Sequence, residues 1–181
     1  MDFEIVLPDT QKQLEMGEEY IYLRSPEGNR EKVFIHDYPR IFKTEGLYER
    51  LFLDLLKSVS HKFICAALVK ILQQIDLQPQ NCRVLELGAG NGVVGNELRL
   101  NGFKDISGLD IIAEAKIAAE RDRPKTYRHY FVCDLPILLP PNTRALFSEG
   151  FHALAVVAAI GREHLGAAAV TIAFNLIRDG R

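Results

Sequence analysis

Hydrophobic positions follow two regimes along this chain. In the first, EYIYLR (19–24) and EKVFIH (31–36) are rich in aromatic and β-branched residues, with the turn residues SPEGN between them. That pattern predicts a β-hairpin. Helical spacing follows. Leu47, Leu51, Phe52 and Leu55 predict a helix from Gly46 to Lys57. Phe63, Ala67, Leu68, Ile71, Leu72 and Ile75 line one side of a second, from about His61 to Ile75, before Gln78-Pro79-Gln80-Asn81 ends it. Residues 1–18 are polar without periodicity and read as a loosely held arm.

The second regime alternates short apolar runs with helical stretches. Strands are predicted at Arg83 to Leu87, Ile106 to Asp110, Tyr127 to Cys133 and Ala153 to Ile160. Helices are predicted at Gly92 to Leu100, Ile112 to Arg121, a short stretch over 142–148, and Glu163 to Ile177. Strands separated by helices pair in parallel through right-handed crossovers. The fold class is therefore α/β, a Rossmann-like parallel sheet with an N-terminal hairpin and helical extension. Residues 1–78 read as arm, hairpin and helices packing on the core, and residues 79–181 as the core.

Composition narrows the picture. The chain has 181 residues, 48% hydrophobic and 25% charged, the balance of a globular domain. A net charge of -2 supplies no global basic field and argues against a nucleic-acid partner. Three cysteines, Cys65, Cys82 and Cys133, lack metal-ligand spacing and form no disulfide framework. No metal site is expected, and a reducing cytoplasm is the expected compartment. The acidic N-terminus does not resemble a signal peptide, and the run from Phe151 to Ile160 is too short to cross a membrane.

Candidate chemistry concentrates where the first parallel strand ends, in Glu86-Leu87-Gly88-Ala89-Gly90-Asn91-Gly92. Open α/β sheets bind ligands at the carboxyl ends of their strands. Glycines there let the backbone turn and approach a ligand, and a helix N-terminus follows. Two ligand classes fit. Gly90-Asn91-Gly92-Val93-Val94-Gly95 satisfies a dinucleotide fingerprint and would serve an NAD(P)-dependent oxidoreductase. Glu86 instead suits a cationic amino or sulfonium group, where a pyrophosphate would be repelled. Asp134, ending the third strand, can reach an adenine amino group. Asp110, ending the second, can accept ribose hydroxyls in either class, or cap the next helix. Loop and acids together favour a nucleoside with a cationic tail.

VLELGAGNG, GLDI and FVCDL resemble, in order and spacing, the first three motifs of the class I S-adenosylmethionine-dependent methyltransferases. That resemblance implies S-adenosylmethionine as cofactor. Glu86, Gly88, Ala89, Gly90, Asn91 and Gly92 would surround its methionine part, Asp110 with Ile111 its ribose, and Cys133, Asp134 and Leu135 its adenine. HDYPRIFKTEGLYERLF (36–52) resembles the entry segment of small-molecule methyltransferases, which makes Tyr38 and Tyr48 candidates for a lid, or else for packing. FNLIRDG resembles the helix and turn before the family's fifth strand. That strand and the terminal antiparallel pair have no counterpart here. A fragment, a homodimer across the exposed apolar edge, or cover by the hairpin would each account for this.

The implied reaction is methyl transfer to a small-molecule acceptor. An aromatic-proline signature for amino groups of nucleic acids is missing after the fourth strand, where Ala158-Ala159-Ile160-Gly161 stands. The sulfonium supplies the electrophile, so alignment matters more than a base. His36, His152 and His164 are available as bases, and none is assigned. A non-catalytic cofactor-binding or assembly protein is the other alternative.

Overall fold

The computed structural model describes residues 3–9, 14–15, 17–135, 150–160 and 166–177. The chain forms two compact units, Met1–Lys57 and Ser58–Arg181. The helical stretch expected over 142–148, together with His164 and Arg181, lies outside the described residues.

In the first unit, β1 (Glu4–Val6), β2 (Tyr20–Arg24) and β3 (Arg30–Phe34) form an antiparallel sheet in chain order. The predicted hairpin is β2–β3. Gly28 N–H donates to the Ser25 carbonyl at 2.9 Å, closing a turn with Pro26 at its second position. Alternation turns Ile21 and Leu23 inward, where they pack with Val33, Ile41, Leu47 and Leu51. The arm is not wholly loose, because Glu4–Val6 pairs with Tyr22–Arg24 as β1. Three residues are too few to reveal a period, and the pairing partner lies some twenty residues away.

Helix α1 (Tyr38–Lys43) starts at Asp37, whose side chain accepts the Arg40 N–H. The next helix, Glu49–Leu55, is of π type: Leu56 N–H donates five residues back, to the Leu51 carbonyl, at 2.9 Å. Leu47 and Leu51 are buried as their spacing predicts, while Leu55 is left exposed. Tyr38 stacks on Phe42 and Phe52, and Tyr48 packs against the same two rings. Both tyrosines are thus part of this unit's aromatic cluster.

The second unit opens with α2 (Ser60–Gln74), followed by β4 (Arg83–Leu87), α3 (Val93–Leu100), β5 (Asp105–Asp110), α4 (Ala113–Asp122), β6 (His129–Val132), β7 (Ala153–Val156) and α5 (Ala167–Phe174). The four strands form one parallel sheet in the order β6-β5-β4-β7. Strand alternation divides the core in two. Val84 and Ile106 face α2 and α3, with Cys65, Leu72, Val94 and Leu98; Leu85, Leu87 and Leu109 face Ala169 and Ala173 of α5.

Helix α2 turns a different side to the core than its hydropathy pattern suggested. His61, Cys65 and Leu72 are buried, whereas Phe63 is 71% exposed and Ile71 53%. Nearly every position between Phe63 and Ile75 that is not lysine or glutamine is apolar, so the pattern alone does not select a face. Contact with α3 selects it.

Strand β7 is shorter than expected. It ends at Val156, and Ala158 sits at φ +52°, a conformation incompatible with a continuing strand. On the side of β7 away from β4, Phe151 N–H donates to the Leu176 carbonyl at 2.9 Å, and Phe151 and Ile177 form an isolated parallel bridge. After α5 the chain therefore returns alongside β7, in the direction a further parallel strand would take.

Candidate functional site

The strand order reverses at β4: β5 and β6 extend to one side, β7 to the other. Such a switch point opens a crevice at the carboxyl ends of the strands. The glycine loop follows β4 at that position. Gly88, Gly90 and Gly92 have φ of +73°, +52° and +87°, so an L side chain at any of them would strain the loop.

Three elements hold the loop. From β5, the Leu109 carbonyl accepts the N–H groups of Gly88 at 2.8 Å and Ala89 at 3.0 Å. Asp110, 8% exposed, accepts Gly90 N–H through Oδ2 at 2.8 Å and Ile112 N–H through Oδ1 at 3.0 Å. From β6, the Tyr130 hydroxyl donates to the Gly90 carbonyl at 2.7 Å. From the end of α4, Arg123 donates to the Asn91 carbonyl at 3.1 Å, and Asn91 donates to Asp122 at 3.3 Å. Asn91 is buried, and its side chain ties the loop to the end of α4.

Glu86 stands differently from its sequence reading, which turned it towards a ligand. Its side chain shares a sheet face with Val84, beneath α3, and is 1% exposed. The Tyr127 hydroxyl donates to Oε2 at 2.9 Å, and the Gly95 N–H bonds the carboxyl as well. Burial pushes its pKa up to about 8, against the opposing pull of Tyr127. Burial also raises the pKa of Asp110, against backbone hydrogen bonds from Ile112 and Gly90.

The predicted residues Ile111, Cys133, Asp134 and Leu135 follow the carboxyl ends of β5 and β6. Ile111 is 61% exposed just past Asp110. Cys133 N–H donates to the Asp110 carbonyl at 3.0 Å, Asp134 is exposed, and Leu135 is buried with Leu85, Leu87 and Leu109. His152 lies elsewhere: its Nδ1 accepts the Arg83 N–H at 2.9 Å, at the opposite end of β4 from the loop. All three thiols are free. Among the described residues no group of acidic, histidine and cysteine side chains could hold a metal, and no helix is long and apolar enough to cross a membrane.

Sequence reasoning missed Tyr127, Tyr130 and Arg123. The signal lay in two glycines outside the loop. A Cβ on Gly95, in α3, would stand 2.7 Å from the Tyr127 ring, and one on Gly108, inside β5, 2.9 Å. Glycine within a strand marks a close approach, and here the approaching group is Tyr127. Gly95, the third glycine of the dinucleotide fingerprint, is thereby accounted for by packing. Gly95→Ala should cost about 1–3 kcal/mol through overpacking. Denaturant unfolding measures this, and an unchanged midpoint would mean that the ring moves freely. A cavity of about 340 Å³ adjoins these side chains between α4 and β6, bordered by Lys116, Arg123, Lys125 and Arg128.

No protein-family model matches the chain, and no curated protein matches it. Among solved structures it is similar to S-adenosylmethionine-bound CalS10, an amino pentose methyltransferase from Micromonospora echinaspora, at 19% identity and TM-score 0.50, covering 68% of this chain and 49% of that one. It is also similar to DesVI from Streptomyces venezuelae, at 14% identity and TM-score 0.50, covering 80% and 54%. The chain spans about half the length of each. In strand order, parallel pairing and the position of its glycine loop, the Ser58–Arg181 unit has the fold of the class I S-adenosylmethionine-dependent methyltransferases.

Proposed function

We propose that this chain binds S-adenosylmethionine at the Glu86–Gly92 loop and transfers its methyl group to a small-molecule acceptor. The observation that carries the reading is a glycine loop braced from three elements at the sheet's switch point, with Asp110 beneath it. The residues fit a nucleoside. Both Asp110 oxygens accept backbone N–H groups, and a carboxylate oxygen has a second lone pair with which to accept a ribose hydroxyl. Ile111, Cys133 and Asp134 complete the adenosine side of the same proposal, with Leu135 supporting them from the core. CalS10, similar in fold, is a methyltransferase with the cofactor bound, which supports the choice of ligand.

The bound cofactor would supply a methyl group already activated on a sulfonium. What the chain contributes is orientation and desolvation: a loop backbone free of side chains at its glycines, and acceptors already fixed in place. Glu86 would lie below the loop rather than in contact with the ligand, and a cation bound above it would favour its ionised form.

Calorimetric titration with S-adenosylmethionine, S-adenosylhomocysteine and NAD tests the proposal. Both sulfur nucleosides should bind and NAD should not. Binding of NAD alone would sink the reading in favour of an oxidoreductase. Cofactor binding without methyl transfer across a panel of small-molecule acceptors would instead leave a binding protein.

A further inference from the structure

Tyr127 connects parts of the site that are distant in sequence. Its ring lies against Gly92, Gly95 and Gly108, where added Cβ atoms would approach to 3.2, 2.7 and 2.9 Å. It meets Tyr130 edge-on, centroids 5.2 Å apart. Its hydroxyl lies 2.9 Å from Glu86 Oε2 and 3.4 Å from the Ala89 carbonyl oxygen. One hydroxyl hydrogen therefore has two acceptors, one a buried carboxyl and the other the backbone of the glycine loop.

A phenol has one hydrogen to donate and oxygen lone pairs to accept with. While Glu86 is a carboxylate, the charge-assisted bond to it is the stronger choice. Once Glu86 is a neutral acid, its own O–H can donate to the Tyr127 oxygen, and the tyrosine hydrogen is released to the Ala89 carbonyl. We propose that Tyr127 is a positioning residue for the cofactor loop, its hydroxyl tying the protonation state of Glu86 to the conformation of the Ala89–Gly90 turn. This inference rests on reading that loop as the cofactor site.

The groups around Glu86 make its protonation state consequential. Asp110 on β5 and burial oppose its charge; Tyr127, the Gly95 N–H on α3 and Arg123 after α4 favour it. Burial raises the pKa of Tyr130 on β6 and of the Cys65 thiol on α2, and the Glu86 charge adds to the rise in each. With the balance at about 8, Glu86 changes state within the range where proteins are ordinarily handled.

Hydrogen–deuterium exchange of the Gly88–Gly92 amides, on the full chain without ligand and corrected for intrinsic rates, tests the link. In the wild type, loop protection should change by roughly two- to tenfold between pH 6 and pH 9, the equilibrium equivalent of one hydrogen bond. In Tyr127→Phe it should be flat with pH. A merely structural tyrosine would lower protection by the same factor at every pH and leave the wild-type profile intact, which would overturn the proposal. Glu86→Gln should also be flat, and it carries the test alone if Tyr127→Phe does not fold: a surviving pH profile in it overturns the proposal. Titration with S-adenosylhomocysteine separates the two readings. A wild type with the expected exchange profile and no cofactor binding would retain the positioning role and reject the cofactor assignment.

Discussion

Glu86→Gln is expected to remove most of the pH dependence of this protein's stability between about pH 5 and pH 8. The native carboxyl titrates at about 8 because it is buried, and the unfolded one near 4.5. Between those values the native state holds a proton that the unfolded state has lost. Stability should therefore be fullest below pH 4.5 and fall as pH rises through 8. The slope is about 1.4 kcal/mol per unit, of the order of a few kcal/mol over the window. Glutamine has no proton to lose and keeps an oxygen that can accept from Tyr127 or Gly95. The variant should match or trail the wild type at pH 5 and exceed it by pH 8.5. Asp110, also shifted upward by burial, contributes with the same sign in both proteins. Denaturant unfolding across this range is the measurement. Parallel curves would show that native Glu86 is already ionised at pH 5, and the account of its burial would be wrong.

Asp110→Ala should lower stability and cofactor affinity together. Its carboxylate accepts Gly90 N–H at 2.8 Å and Ile112 N–H at 3.0 Å, so the side chain braces the loop and the turn that precedes α4 at once. Hydrogen bonds to charged groups are worth about 1.5–3 kcal/mol, and a loss of that size is expected in unfolding. The same range in S-adenosylmethionine binding corresponds to roughly ten- to a hundredfold. Stability lost with affinity unchanged would make Asp110 a brace only. Affinity lost with stability intact would make it a ligand contact whose backbone bonds contribute little.

Much of this architecture was legible in the sequence because it is local. Periodicity located β2, β3 and β4 and, to within a residue or two at most ends, α2, α3, β5 and α4. The glycine loop was legible because alternating glycines at a strand end are expensive unless the backbone needs them, and each has positive φ. Glu86 was half legible. Its place on the strand was clear, yet period-two alternation from Val84 already turned it beneath α3 rather than towards a ligand. Tyr127 went unread: Gly95 and Gly108 recorded the space it fills, without saying which side chain fills it.

By itself the sequence determined the elements, their order and the place of the loop, since each depends on residues within a few positions of one another. Tertiary structure decided what depends on partners distant in the chain. Contact with α3 chose which of the many apolar positions of α2 are buried. Pairing with β2 made a strand of Glu4–Val6. Above all, the return of the chain at Tyr127 placed a phenol against Glu86, forty-one positions away. That contact gives the buried carboxyl a hydrogen-bond donor that opposes the effect of burial on its charge, and no spacing along the chain records it.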